Sequence, residues 1–347
     1  MTLRVIIYRL GVIPLLLLLC ILAACSQQDL DQEELGMVSL KVLASPGTKA
    51  GEGGTATATL PDKETDIFDL SIFIFNSNGD VIGFTSQDFK DGKPAAVEVK
   101  TRKETGCSVY AVANAKTLNN GTSPFDGVST LSVFKAKYLS FPDAKAPNDA
   151  KCLLMMGVSS GFDTSSASSA SPATITLKRL ASRIDYTIAV NNDQTTGFPI
   201  VVDSYRLCNV PTSTLYQQSD FTSPSMPSSP TFADLDKVST SILSVAAPTS
   251  AGTYYVYANT DTSNETYLDI QAHSEVQGYT VWNSNFQVKM PDGKVLPNYH
   301  YKINIVINGS VTGKNGGFIT TYEAYPYFSG AILNPWGPNE NKDLDLQ

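Results

Sequence analysis

The residues whose types and spacing suggest chemistry are few. Gly157–Gly161 reads GVSSG and matches G-x-S-x-G, the turn that presents a nucleophilic serine, here Ser159, between a strand and a helix. The stretch that follows, FDTSSASSASP, has no helical pattern, and the two histidines, His273 and His300, both fall in strand-like runs. A hydrolase built on Ser159 is therefore the remote reading, and a flexible loop is expected. Thr312–Gly317 (TGKNGG) lacks the spacing, the Ser/Thr and the following helix of a phosphate loop. Asn76–Asp80 (NSNGD) alternates oxygen-bearing side chains as calcium loops do. It also carries the Asn-Gly of a tight hairpin, which is the preferred reading. The histidines lack His or Cys partners at ligand spacing, and Cys107, Cys152 and Cys208 show no C-x-x-C pair. Cys107 and Cys208 sit in apolar patterns as core residues would, and one disulfide among the three stays open. No two carboxylates stand out as acid and base. Trp282 and Trp336 could stack on a sugar, although packing is the simpler role. No catalytic residue, metal site or cofactor is expected, and the chain is not read as an enzyme.

The elements that must position any site begin with the N-terminus. Arg4 and Arg9 precede an apolar run, Leu10–Leu22, that is too short for a comfortable membrane span. The run ends in LAAC, with Ala23 and Ala24 before Cys25. Small residues before a cysteine suit lipoprotein signal cleavage between Ala24 and Cys25, with lipid on Cys25, in a bacterium. Several acyl chains there would give stable membrane anchoring. Residues 1–24 are thus expected to be a signal peptide and 25–35 an acidic tether containing DLDQEE (Asp29–Glu34). The net charge is −8; losing Arg4 and Arg9 leaves 23 basic against 33 acidic residues, or −10. Such a chain does not attract phosphate backbones, so nucleic acid is not an expected partner.

Beyond the tether, short period-2 segments dominate. MVSLKVLA (Met37–Ala44) places Val38, Leu40 and Val42 on one face. DLSIFIFN (Asp69–Asn76) is apolar on both faces, as a central sandwich strand would be. YHYKINIVING (Tyr299–Gly309) alternates most cleanly, and TLSVFKAKYL (Thr130–Leu139) is the one helical segment expected. The class is all-β, with sandwich architecture. The Ser/Ala-rich DTSSASSASPA (Asp163–Ala173) divides it into domains 36–163 and 174–347, and TSPSMPSSP (Thr222–Pro230) reads as a surface loop. Ser45–Gly54, SPGTKAGEGG, is a loose tether with a lone Lys49.

In chain order, LAAC, VSLKVLA, TKA, IFDLSIFIFNSNGDVIG, CSVYAVANA, TLKRLASRIDYTIAV, YRLCNVP, TYYVYAN and LPNYHYKINIVINGS resemble the fimbrillin family of Bacteroidetes, the FimA and Mfa1 type of fimbria. The resemblance spans nearly the whole mature chain. It implies two tandem transthyretin-like β-sandwich domains and a lipoprotein precursor at the outer membrane that passes to a cell-surface fimbrium. It further implies cleavage in the tether after the first strand, at Lys49–Ala50, where the family usually has arginine. Residues 37–44 would then leave, and the groove would accept a donor strand from another subunit. The tail 318–347 offers such a strand, with Phe318, Ile319, Tyr322, Tyr325, Tyr327, Ile332, Leu333 and Trp336. The implied partners are other fimbrial subunits, the membrane through Cys25 before maturation, and a host or bacterial surface ligand. The alternative function is a monomeric glycan-binding surface lipoprotein.

Overall fold

The computed structural model describes residues 35–44, 62–92, 96–142, 145–165, 173–191, 199–242, 250–276, 279–308 and 318–326. These form an all-β protein of two β-sandwich domains. The first contains β1 (Leu35–Ala44), β2 (Asp69–Phe75), β3 (Val81–Asp88), β4 (Val97–Arg102), β5 (Cys107–Ala113), β7 (Met155–Phe162) and β8 (Ala173–Arg179). One layer runs β3-β2-β5-β7 and the other β4-β1-β8. The layers are stitched at their margins by Gly83↔Thr101 on one side and by Met155↔Arg179 and Met156↔Lys178 on the other, which closes the ring.

Side-chain alternation explains how this domain serves two cores. Leu70, Ile72 and Ile74 of β2 enter the core between the layers with Val38, Leu40, Val97, Val99 and Val109. The alternate residues Phe73 and Phe75 enter a second cluster with Phe134, Tyr216 and Tyr257, which spans both domains. Every residue of β2 is buried, as its two apolar faces require. The Asn76–Asp80 stretch is a hairpin turn: Asn76 Oδ1 accepts from the backbone N–H of Asn78 and Asp80, and Gly79 takes φ +85°. That amide oxygen is thus committed to the turn.

Gly157 lets β7 pass close to β8. A Cβ there would lie 2.6 Å from the Thr176 carbonyl oxygen and 2.8 Å from Ile175 Cγ2. Gly157→Val is expected to cost about 2–3 kcal/mol by overpacking, seen as a lower urea midpoint with unchanged slope.

The expected helix at Thr130–Leu139 is shorter. Besides α1 (Ala115–Leu118), the chain has α2 (Leu131–Lys135), capped by Thr130 Oγ1 accepting from Val133 N–H at 3.3 Å, and α3 (Ala146–Asp149). After α2 the chain turns into β6 (Tyr138–Ser140), which pairs with β12 (Ser213–Leu215) of the second domain. A distant strand thus overrides a weak local propensity.

The second domain packs two four-stranded sheets. One runs β15 (Ser250–Tyr257), β9 (Ala181–Asn191), β18 (Tyr299–Asn308) and β19 (Phe318–Pro326). The other runs β14 (Val238–Ile242), β10 (Ile200–Cys208), β16 (Tyr267–Val276) and β17 (Tyr279–Lys289). Tyr301, Ile303, Ile305 and Ile307 of β18 fill its core, as their alternation predicts. A small pair, β11 (Val210–Pro211) and β13 (Phe232–Ala233), flanks it. Residues 222–230 contain no strand, as their prolines suggest.

The domain boundary differs from the sequence expectation. Residues 173–179, assigned above to the second domain from 174 onward, pair with β1 and β7 and bury Ile175 and Leu177 in the first core. The change of core falls at Leu180, between β8 and β9. A Ser/Ala-rich composition marks a loop, but it does not say which sheet the next strand joins.

Candidate assembly surfaces

β1 is the middle strand of its layer. It runs antiparallel to β4 from Leu35↔Arg102 to Leu40↔Val97, and parallel to β8 from Leu40↔Ala173 to Ala44↔Leu177. Its inward side chains Val38, Leu40 and Val42 are 0%, 0% and 2% exposed, whereas Met37 and Lys41 face solvent. Burying three such aliphatic side chains is worth roughly 5–9 kcal/mol, comparable to the net stability of a whole domain. A first domain without β1 would therefore need another strand in that slot.

At the other end of the chain, β19 is an edge strand. It pairs antiparallel with β18 from Tyr299↔Pro326 to Ile307↔Phe318. Phe318, Ile319, Tyr322 and Tyr325 of the expected donor lie on β19, so the front of that segment extends the second domain's own sheet. β18 supplies a row of backbone donors and acceptors on that side, and the nearest downstream segment satisfies them. Tyr327, Ile332, Leu333 and Trp336 lie outside the described residues. So do Ala24 and Cys25, and Lys49 and Ala50.

The weaker chemical motifs are dispersed. Ser159 sits within β7, paired with Val109, in extended backbone rather than at an elbow. His273 Nδ1 lies 2.8 Å from Asp203 Oδ1, and His300 Nε2 lies 2.7 Å from Asp185 Oδ2. Trp282 is on β17 opposite Ser274. Among the described residues, no group of three or more His, Cys, Asp or Glu is placed to hold a metal, and no helix is long and apolar enough to cross a membrane. Cys107, Cys152 and Cys208 are free thiols and buried. Burial pushes Cys152 up to about 12 and Cys208 up to about 11, so both are protonated at neutral pH.

The junction between the domains holds charged residues that pattern reading overlooked. Glu64, fully buried, ends the short turn that follows the tether. Its Oε1 accepts from Arg183 Nη1 at 3.1 Å and from the Tyr255 hydroxyl at 2.8 Å. Its backbone oxygen accepts from Arg179 Nε at 2.7 Å. Arg179 and Arg183 flank Leu180, and the signal was present as the two arginines of LKRLASR, where two strand-like runs meet. Asn148 of α3 clamps strand β15 in the manner of a strand partner. Its Oδ1 accepts from Tyr255 N–H at 2.7 Å and its Nδ2 donates to Tyr255 O at 3.0 Å.

Asp185 extends this network. Burial raises its pKa, but hydrogen bonds from His300, Arg183 and Thr253, with the His300 charge, outweigh burial and hold the carboxyl well below the usual range. A carboxylate lowered on folding contributes stability that is complete above its unfolded value of about 4 and is lost as pH falls through the folded value. Thermal unfolding is expected to show stability declining below about pH 4, with a shallower decline in Asp185→Asn.

Residues 37–196, a little under half of the chain, match the model of the family described as major fimbrial subunit protein (FimA). Three solved structures share the fold. A candidate cell adhesion protein from Parabacteroides distasonis ATCC 8503 is 18% identical, with 86% of this chain and 98% of that chain covered at a TM-score of 0.61. A fimbrilin (fimA) from Porphyromonas gingivalis W83 is 15% identical, covering 84% and 99% at a TM-score of 0.52. The tip fimbrial protein Mfa3 from Porphyromonas gingivalis, with C-terminal truncation, is 14% identical, covering 84% and 100% at a TM-score of 0.52. No curated protein sequence matches the chain. Over residues 37–196 the chain is similar to the major fimbrial subunit protein (FimA) family, in agreement with the fimbrillins that its sequence resembles.

Proposed function

We propose that this chain is a structural subunit of a cell-surface fimbrium, assembled with other subunits, and that it is made as an outer-membrane lipoprotein, lipidated on Cys25, and matured by a cut in the tether at Lys49–Ala50. β1 then leaves, and a segment from the tail 318–347 of another copy enters between β4 and β8. The finished fibre acts in adhesion to a host or bacterial surface. The observation that carries this reading is the place of β1. It is flanked on both sides, so its departure leaves two facing rows of unpaired backbone groups above an apolar slot shaped by Val38, Leu40 and Val42. Such a slot is a strong template for β-strand addition. The position of β19 supports it as well, because an edge strand near the chain end can detach without unthreading the fold.

The test is mass spectrometry of purified surface fibres. A fibre subunit that begins at Ala50 is expected. One that begins at lipid-bearing Cys25 would assign the chain an uncut anchoring role instead. Fibres free of the chain, with all of it recovered as a glycan-binding monomer, would overturn the assembly reading.

A further inference from the structure

The fate of β8 during strand replacement rests on the proposed removal of β1 and extends it. Among the described residues, β8 pairs along its length with β1 and otherwise only through Met155↔Arg179 and Met156↔Lys178 with β7. Once β1 is gone, the wall of the groove keeps only these two pairs, both at its C-terminal end. The contacts at that end are independent of β1. Arg179 N–H donates to Asn298 Oδ1 at 3.0 Å, and Leu180 N–H donates to Leu154 O at 2.9 Å. The Arg179 side chain, 1% exposed, donates to the backbone oxygen of Glu64.

We infer that Glu64 is a positioning residue: it clamps the β8–β9 junction through Arg179, Arg183 and Tyr255, and so keeps the groove wall in register while no strand occupies the β1 slot. Geometry favours this role over a general packing one. The carboxylate grips Arg183 on one side of Leu180 and the backbone oxygen grips Arg179 on the other, so one residue fixes both sides of the point where the chain passes between domains. Tyr255 is held in turn by Asn148, which ties the clamp to the first domain. Glu64 itself lies just beyond the tether, so its hold on the new N-terminal part of the chain outlasts a cut at Lys49.

Native-state hydrogen exchange on the full, uncut chain in low urea tests the clamp without any cleavage. The Arg179 and Leu180 amides bond to acceptors outside β1, so their protection reports whether β8 stays docked when β1 opens. In the wild type they are expected to outlast the β1 amides by at least about tenfold, and in Glu64→Gln, which withdraws the carboxylate charge from Arg183 but keeps the backbone oxygen on Arg179, that gap is expected to narrow several-fold. Tyr255→Phe, which removes a single hydrogen bond to Glu64, is expected to give an intermediate gap and guards against a Glu64 variant that fails to fold. Joint exchange of β1 and β8 in the wild type, or an undiminished gap in both variants, would overturn the clamp. The strand-removal reading stands or falls separately, on the N-terminus of the fibre subunit.

Discussion

A chain ending at residue 317 is expected to fold, reach the cell surface and enter no fibre. The truncation removes β19 and everything beyond it, and with them the expected donor residues from Phe318 to Trp336. β18 retains its parallel ladder with β9, from His300↔Arg183 to Asn308↔Asn191, and its core side chains Tyr301, Ile303, Ile305 and Ile307 stay enclosed. The second domain should therefore survive, with the edge of β18 newly exposed. Native gels or electron microscopy of surface extracts would read the outcome: ladders and fibres from the wild type, a monomer band alone from the truncation. Fibres of normal length from the truncated chain would exclude the tail as donor. A synthetic peptide of residues 318–336, added to the cut wild-type subunit, should compete with polymerisation, because the slot between β4 and β8 cannot hold two strands.

Lys49→Ala should have an effect of similar size from the opposite end. Without a basic residue in SPGTKAGEGG, a protease that cuts after basic residues has no site between Lys41, which lies inside β1, and Lys63, which is half-buried beside Glu64. Lys63 donates to Asn148 O at 2.6 Å and lies over the Tyr255 ring at 4.7 Å, so it is held within the domain junction. The variant subunit is expected to keep β1 and the lipid on Cys25 and to remain a membrane-bound monomer. Lys49→Arg should restore fibres. Mass spectrometry of the membrane and fibre fractions distinguishes these outcomes. Normal fibres from Lys49→Ala would move the cut elsewhere or remove it from the mechanism.

The two experiments separate the acceptor from the donor. Failure of Lys49→Ala with a competent tail, and failure of the truncation with a competent cut, would be complementary defects. Mixing the two variants tests this directly. In the proposed mechanism cut truncated subunits would carry open grooves and uncut Lys49→Ala subunits would carry tails, so a mixture should yield pairs but no long fibres.

Legibility in the sequence follows the range of each interaction. Val38, Leu40 and Val42 were readable as one buried face because alternation is a local property: successive side chains of a strand point to opposite sides. The same rule marked the two buried faces of β2, and the Asn-Gly pair marked the hairpin after it. Thr130–Leu139 was only half readable, since α2 stops where β6 finds a partner far along the chain. That pairing runs from Tyr138↔Leu215 through Leu139↔Thr214 to Ser140↔Ser213. So distant a partner leaves no trace in the local pattern.

Local pattern was enough for the all-β class and the strand faces, including the buried face of a well-formed first strand. It was not enough to put β1 in the middle of its layer, to give β8 to the first domain, or to bring Glu64, Arg179 and Arg183 together at Leu180. Those features exist only in the folded chain, and the reason is physical. Which face of a strand is buried follows from side chains two residues apart. Which strand lies beside which follows from satisfying backbone edges and filling a shared core across long stretches of chain, and that choice is made only when the whole fold closes.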